Sequence, residues 1–229
     1  NKPFDDNAVY MYASEFNPNA TYEELMKGDG QRKSCVASYF NFTVQSLPRV
    51  CLIDTPGANS AVHLDHGQIT RKSLLEEKYD VLIYVFNGNK LGTDEELRYL
   101  KHVSEIIPKE KIVFVLNKLD DYKDVDDSIE SSLEGVRNDL VNIGYDNPKI
   151  CPISAYFALL LKMKKNGHNL TEDELDAYEL FVKKFTKQKY DLSRYYAHEF
   201  EANIVTGNDF LLLSAKCGLH GLETVLFGA

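Results

Sequence analysis

Two short carboxylate-bearing segments, Asp54-Thr55-Pro56-Gly57 and Asn117-Lys118-Leu119-Asp120, carry the chemistry this chain advertises. In the second, Asp120 is the decisive group. A carboxylate is an acceptor-only side chain, and guanine presents N1–H and its exocyclic amine side by side as two donors. Adenine offers no such pair, and a site built on such pairing can discriminate by about 10⁴–10⁵. Asn117 is placed to tie the base edge to neighbouring loops, and the stem of Lys118 to lie across the ring face. In the first segment, Asp54 suits Mg²⁺ held through a water, because that hard cation keeps much of its hydration. Gly57 lets the backbone approach a terminal phosphate oxygen with its N–H, while Thr55 and Pro56 shape the turn between them. A following loop whose order depends on that contact becomes a nucleotide sensor, and the polar stretch Ala58 to Gly67 has the composition for it.

Both segments need to be positioned by strands, and both are. Arg49-Val50-Cys51-Leu52-Ile53 runs into Asp54, and Lys111-Ile112-Val113-Phe114-Val115-Leu116 runs into Asn117. Open α/β sheets bind ligands at the carboxyl ends of their strands, so both segments fall on one ligand-facing edge. Tyr79 to Phe86 reads as a buried parallel strand, Lys149 to Ile153 as a shorter one giving way to Ser154-Ala155. Ser154-Ala155 could supply a backbone N–H to guanine O6. Ser214-Ala215-Lys216 is its rival, but 209–217 reads as a helix terminated by Gly218, so Ser154 is preferred.

Helices alternate with these strands. Thr93-Asp94-Glu95-Glu96 is a capping box opening a helix that stops near Pro108. Ile129, Leu133, Val136 and Leu140 mark another, ended by Gly144. Further upstream, 7–14 and 35–44 read as strands, with a short helix from Thr21 to Lys27 between them; a helix also follows Gly67 as far as Lys78. The expected fold class is therefore α/β, a doubly wound, mostly parallel sheet of the P-loop-NTPase kind. Residues 156–229 read as helices, so the chain divides into an α/β core over 1–155 and a helical insertion with a closing helix over 156–229. A second capping box, Thr171 to Glu174, opens the helix bearing Leu175, Tyr178, Val182 and Phe185. The basic-aromatic stretch Phe181 to Tyr196 reads as an amphipathic helix with lysines reaching to solvent, or else as a docking surface.

Bulk properties narrow the partners. With 229 residues, 44% apolar content and a net charge of −9, the chain can bury a core but lacks the clustered cations that phosphate backbones or anionic lipid require. A ribosome- or RNA-associated role is disfavoured on the same ground. Cys35, Cys51, Cys151 and Cys217 show no metal-ligand spacing and read as reduced thiols of a cytoplasmic protein. His63, Asp65 and His66 lack a third strong ligand nearby and make a poor metal site.

Asp54-Thr55-Pro56-Gly57 followed by Asn59-Ser60, His66 and Thr70, then YDVLIYVFNG, then Asn117-Lys118-Leu119-Asp120, resembles the bacterial dynamin-like GTPases. The closing Gly218-Leu219 and Leu222-Glu223 are similar as well. The resemblance implies a GTP-binding and hydrolysing head, with GTP, GDP and Mg²⁺ as ligands, homo- or hetero-dimerisation through the nucleotide face, and membrane contact through a stalk outside this chain. It also implies a phosphate-binding loop, a catalytic group and a first strand, all expected upstream of Asn1. The one internal candidate for that loop, ending at Lys33-Ser34, has Lys27 and Arg32 where glycines belong. A piece without that loop is expected to turn over no GTP, and a non-catalytic interaction module is the competing expectation.

Overall fold

The computed structural model describes strand segments at 8–10 and 39–41, and residues 79–123, 128–196 and 209–227. The chain forms two compact units, Asn1–Thr70 and Arg71–Ala229. In the first, β1 (Ala8–Tyr10) pairs antiparallel with β2 (Tyr39–Asn41), Val9 opposite Phe40. Both strands fall within the stretches expected to be extended. The helix at Thr21–Lys27, the strand at Arg49–Ile53, the loop Ala58–Gly67 and the helix after it lie outside the described residues.

The second unit is α/β. Strands β3 (Leu82–Asn87), β4 (Ile112–Asn117) and β5 (Ile150–Pro152) form a parallel sheet in the order β3-β4-β5. Helix α1 (Asp94–Ile106) connects the first pair and α2 (Ile129–Ile143) the second. Their ends are written locally. The Thr93 hydroxyl accepts from the Glu96 N–H, the Ser128 hydroxyl from the Ser131 N–H, and Gly144 closes α2. Three carboxylates in the first turn of α1 lie at the positive end of its dipole.

β4 is covered on both faces: Ile112, Phe114, Val115 and Leu116 are all buried. β3 departs from the buried strand expected at Tyr79–Phe86. Phe86 is buried, whereas Ile83 and Val85 are 36% and 54% exposed. The period of 2 explains it, since Leu82, Tyr84 and Phe86 face the packed side and the alternate residues face away.

The helical part packs against the far side of β5. Helix α3 (Ala155–Lys165) follows directly, α4 (Glu172–Phe185) opens with the reciprocal Thr171–Glu174 capping box, and α5 (Asp209–Lys216) and α6 (Leu219–Phe227) close the unit. Phe157 of α3 stacks on Phe185 of α4 at 5.4 Å between centroids and meets Phe181 at 5.7 Å. Burying each such ring stabilises the pair by roughly 1.5–3 kcal/mol. The stretch Phe181–Tyr196 is not one helix. α4 stops at Phe185, the Thr186 hydroxyl donates back to Val182 O, and two 3-10 turns follow at Gln188–Tyr190 and Leu192–Tyr196. Turning back buries Tyr190, Leu192 and Tyr196, which a continued helix would have spread around its circumference.

Cys151 and Cys217 are free and buried, as the spacing suggested. Desolvation pushes their thiols up to about 11 and about 12, so both stay protonated at neutral pH. Cys35 and Cys51 lie outside the described residues. Among the described residues no single helix is long and apolar enough to cross a bilayer. α5 and α6 would qualify jointly but are bent by 81°.

Candidate functional site

The carboxyl ends of β4 and β5 bring together Asn117, Lys118, Asp120, Ser154 and Ala155. Parallel pairing does the work: Leu116 stands opposite Pro152, and the Ile153 N–H donates to Leu116 O at 2.8 Å. The two strands therefore stop side by side, and both chains turn away on the same edge. β4 leaves through Lys118, whose φ of 74° is left-handed for a residue with a Cβ. The Asp121 N–H then donates to Lys118 O at 3.1 Å, which closes a tight turn and returns Asp120 towards β5.

Ser154 does two things with one hydroxyl. It donates to Asp120 Oδ1 at 2.7 Å and accepts from the Phe157 N–H at 3.2 Å as the N-cap of α3. One donor and two acceptor lone pairs allow both. Asp120 is thereby held by one oxygen; its other oxygen makes no hydrogen bond among the described residues, and the side chain is only partly buried. Asn117 Oδ1 accepts from the Ala155 N–H at 3.0 Å. That N–H, expected to face guanine O6, is thus engaged with Asn117 in this structure, at the place where a base edge would compete for it. A fixed carboxylate with an open oxygen is the kind of acceptor that two adjacent donors on a purine edge would require.

Ser154→Ala removes the cap and the grip on Asp120 together. The expected loss is about 1 kcal/mol of stability, with a larger fractional fall in nucleotide affinity. Thermal melts and fluorescent-nucleotide titration of the same variant would separate the two.

The site is braced from three sides. From β3, the Gly88 N–H donates to Asn117 O at 2.9 Å, and a Cβ at Gly88 would stand 2.9 Å from that same oxygen. Tyr122 donates to Gly88 O at 3.2 Å and contacts the Ser132 hydroxyl at 2.8 Å, while Asn89 Nδ2 donates to Asp121 Oδ2 at 2.7 Å. From α4, Lys184 Nζ donates to Asp120 O at 2.6 Å and to Tyr122 O. From behind β5, the Ser154 N–H donates to Cys217 O at 3.0 Å, and buried Tyr196 donates to Pro152 O at 2.8 Å. Burial pushes the Tyr196 phenol well above its ordinary value, which keeps it a donor. Gly221 leaves room for the Tyr196 ring, since a Cβ there would stand 2.4 Å from it. Lys162 and buried Glu223 pair at 2.8 Å, joining α3 to α6.

Ser214, the rival serine, lies in the interior of α5, fully buried, with its hydroxyl lacking a partner among the described residues. The end of that helix supports Ser154 from behind, through Cys217. Asp54, Thr55, Pro56 and Gly57 lie outside the described residues, as do His63, Asp65 and His66. Among the described residues, no group of three or more His, Cys, Asp or Glu could hold a metal ion.

Two curated proteins are similar to this chain. One, an uncharacterized protein in the xynA 3′ region of Caldicellulosiruptor sp. (strain Rt8B.4), is 30% identical over 141 residues, 61% of this chain and 33% of that protein. The other, a probable transmembrane GTPase, FZO-like and chloroplastic, from Arabidopsis thaliana, is 29% identical over 122 residues, 51% of this chain and 12% of that protein. The chain thus spans a third or less of the length of these relatives. No family model matches, and no solved structure does.

Proposed function

We propose that this chain contributes the guanine-recognition half of a GTP-binding and hydrolysing head, of the dynamin-like, membrane-remodelling kind. The observation that carries the reading is the pair of contacts Ser154–Asp120 and Ala155–Asn117, made by two segments far apart in sequence at one sheet edge. The similarity to a probable transmembrane GTPase over half the chain supports it. So does the three-stranded parallel sheet, which is compatible with a P-loop-type core.

In this reading Asp120 accepts from N1–H and the exocyclic amine of guanine, and Ser154 prevents the carboxylate from rotating away. Asn117 bridges the two loops through the Ala155 N–H, a donor that guanine O6 would share or take over, while the Lys118 stem covers the ring. Asp54 holds Mg²⁺ through water, and Thr55, Pro56 and Gly57 bring a backbone N–H to the terminal phosphate. The bound metal supplies neutralisation of charge developing on the phosphate oxygens. A second head meeting this one across the nucleotide is part of the proposal, as is a cytoplasmic setting at a membrane surface.

Displacement of a fluorescent guanine nucleotide from the full-length protein tests the reading. Unlabelled GDP is expected to compete about 10⁴-fold better than ADP. Equal competition by ADP would overturn it.

A further inference from the structure

The Lys184 ammonium crosses from the last turn of α4 to the loop that follows β4, and there meets the carbonyls of Asp120 and Tyr122. Those carbonyls flank Asp121, so one cation closes the backbone on either side of a single residue. The face of the Tyr190 ring lies 4.6 Å from the same ammonium, and that ring is itself buried. Two backbone carbonyls and one ring face, all neutral, thus meet the ammonium among the described residues, and Lys184 is half-buried there.

The opposite side of the same loop is held by β3, through Asn89 on Asp121 and Tyr122 on Gly88. Between these two grips Asp120 presents its side chain towards Ser154. A carboxylate selects between purines only if its oxygens are aimed to within a fraction of an ångström. Ser154 fixes the tip of Asp120, and the backbone beneath it needs a separate restraint.

We infer that Lys184 is a positioning residue for base selection, through which the helical segment bearing α4 sets the aim of Asp120. This rests on the guanine reading above. It also makes that helical segment part of the specificity apparatus rather than an appendage. Because coupling is reciprocal, a base held by Asp120 tightens the contact between α4 and the loop.

The test compares Lys184→Met, Lys184→Arg and Asp120→Asn in the full-length protein, reading the dissociation constants of GDP, IDP and XDP. IDP lacks the exocyclic amine, so the IDP-to-GDP ratio reports how well Asp120 is aimed. Lys184→Met keeps the stem and removes the donors, and is expected to shrink that ratio about tenfold, the worth of one hydrogen bond to a charged group. Lys184→Arg, which can still donate to both carbonyls, is expected to restore most of it. If Lys184→Met weakens both nucleotides equally, or neither, while Asp120→Asn moves preference to XDP, the positioning role is overturned and the guanine reading stands. If Asp120→Asn leaves base preference unchanged, the guanine reading falls and the role of Lys184 falls with it.

Discussion

Asp120→Asn is expected to exchange guanine for xanthine as the preferred base. Guanine offers two adjacent donors, and the amide that replaces the carboxylate offers one acceptor and one donor. The exocyclic amine of GDP would then face an N–H₂ group. One hydrogen bond to a charged acceptor is lost, worth about 1.5–3 kcal/mol, and the one from N1–H keeps only a neutral acceptor, so GDP affinity should fall by at least roughly 10- to 10²-fold. Xanthine carries a carbonyl where guanine carries the amine, and so presents N1–H and an acceptor side by side. The amide answers both. Its carbonyl can also keep the hydrogen bond from Ser154, now 2.7 Å from the Asp120 carboxylate, so the loop need not move. The measurement is competitive displacement by GDP and XDP in both proteins. An unchanged order of preference in a folded variant would remove Asp120 from base recognition.

Gly218→Val should have the largest effect on the fold and, through it, on the site. Gly218 sits at the corner between α5 and α6 with φ of +83°, a conformation that costs residues with a Cβ roughly 1–2 kcal/mol. Space is the harder limit. A Cβ at this position would stand 2.1 Å from the carbonyl oxygen of Pro152, a backbone atom that cannot swing aside. Relief requires β5 and the α5–α6 corner to separate, which costs about 1–3 kcal/mol more for the displaced packing. That separation breaks the bond from the Ser154 N–H to Cys217 O and disturbs Tyr196 on Pro152. The variant is expected to melt at lower temperature and to lose guanine affinity together, although Gly218 touches no candidate ligand group. Chemical denaturation and nucleotide titration on one preparation check the linkage. Full affinity in a strongly destabilised variant would show that Ser154 does not depend on the corner.

The candidate base site was legible where its parts are local. Asn117-Lys118-Leu119-Asp120 needs only an apolar run before it, and Ile112 to Leu116 is such a run, so strand and turn follow from pattern. Ser154 was likewise legible against Ser214, because a strand precedes one and a helix contains the other. The caps Thr93 and Thr171 and the terminators Gly144 and Gly218 were readable for the same reason: a helix end is satisfied by side chains within a few residues of it.

What failed is instructive in the same terms. The run Phe181–Tyr196 carries enough helical periodicity to suggest one amphipathic helix, yet the chain breaks at Phe185, because burying Tyr190, Leu192 and Tyr196 against the core outweighs continuing the helix. The same break leaves Lys184 in a last turn facing the Asp120 loop, a role that basic residues amid aromatics do not announce. Tyr122 and Asn89 were also silent, since each acts by reaching across to a neighbouring loop.

By itself, then, the order of residues determined which strands end in polar turns and where helices begin and stop. Those are short-range matters, decided by backbone hydrogen bonding and by the period of the apolar residues. Only the tertiary structure decided that Ser154 grips Asp120, that α4 reaches the base loop through Lys184, and that a glycine at a distant helix corner supports β5. Such contacts join segments with no sequence relation to one another, and they exist because packing one core leaves each of those groups a single place to go.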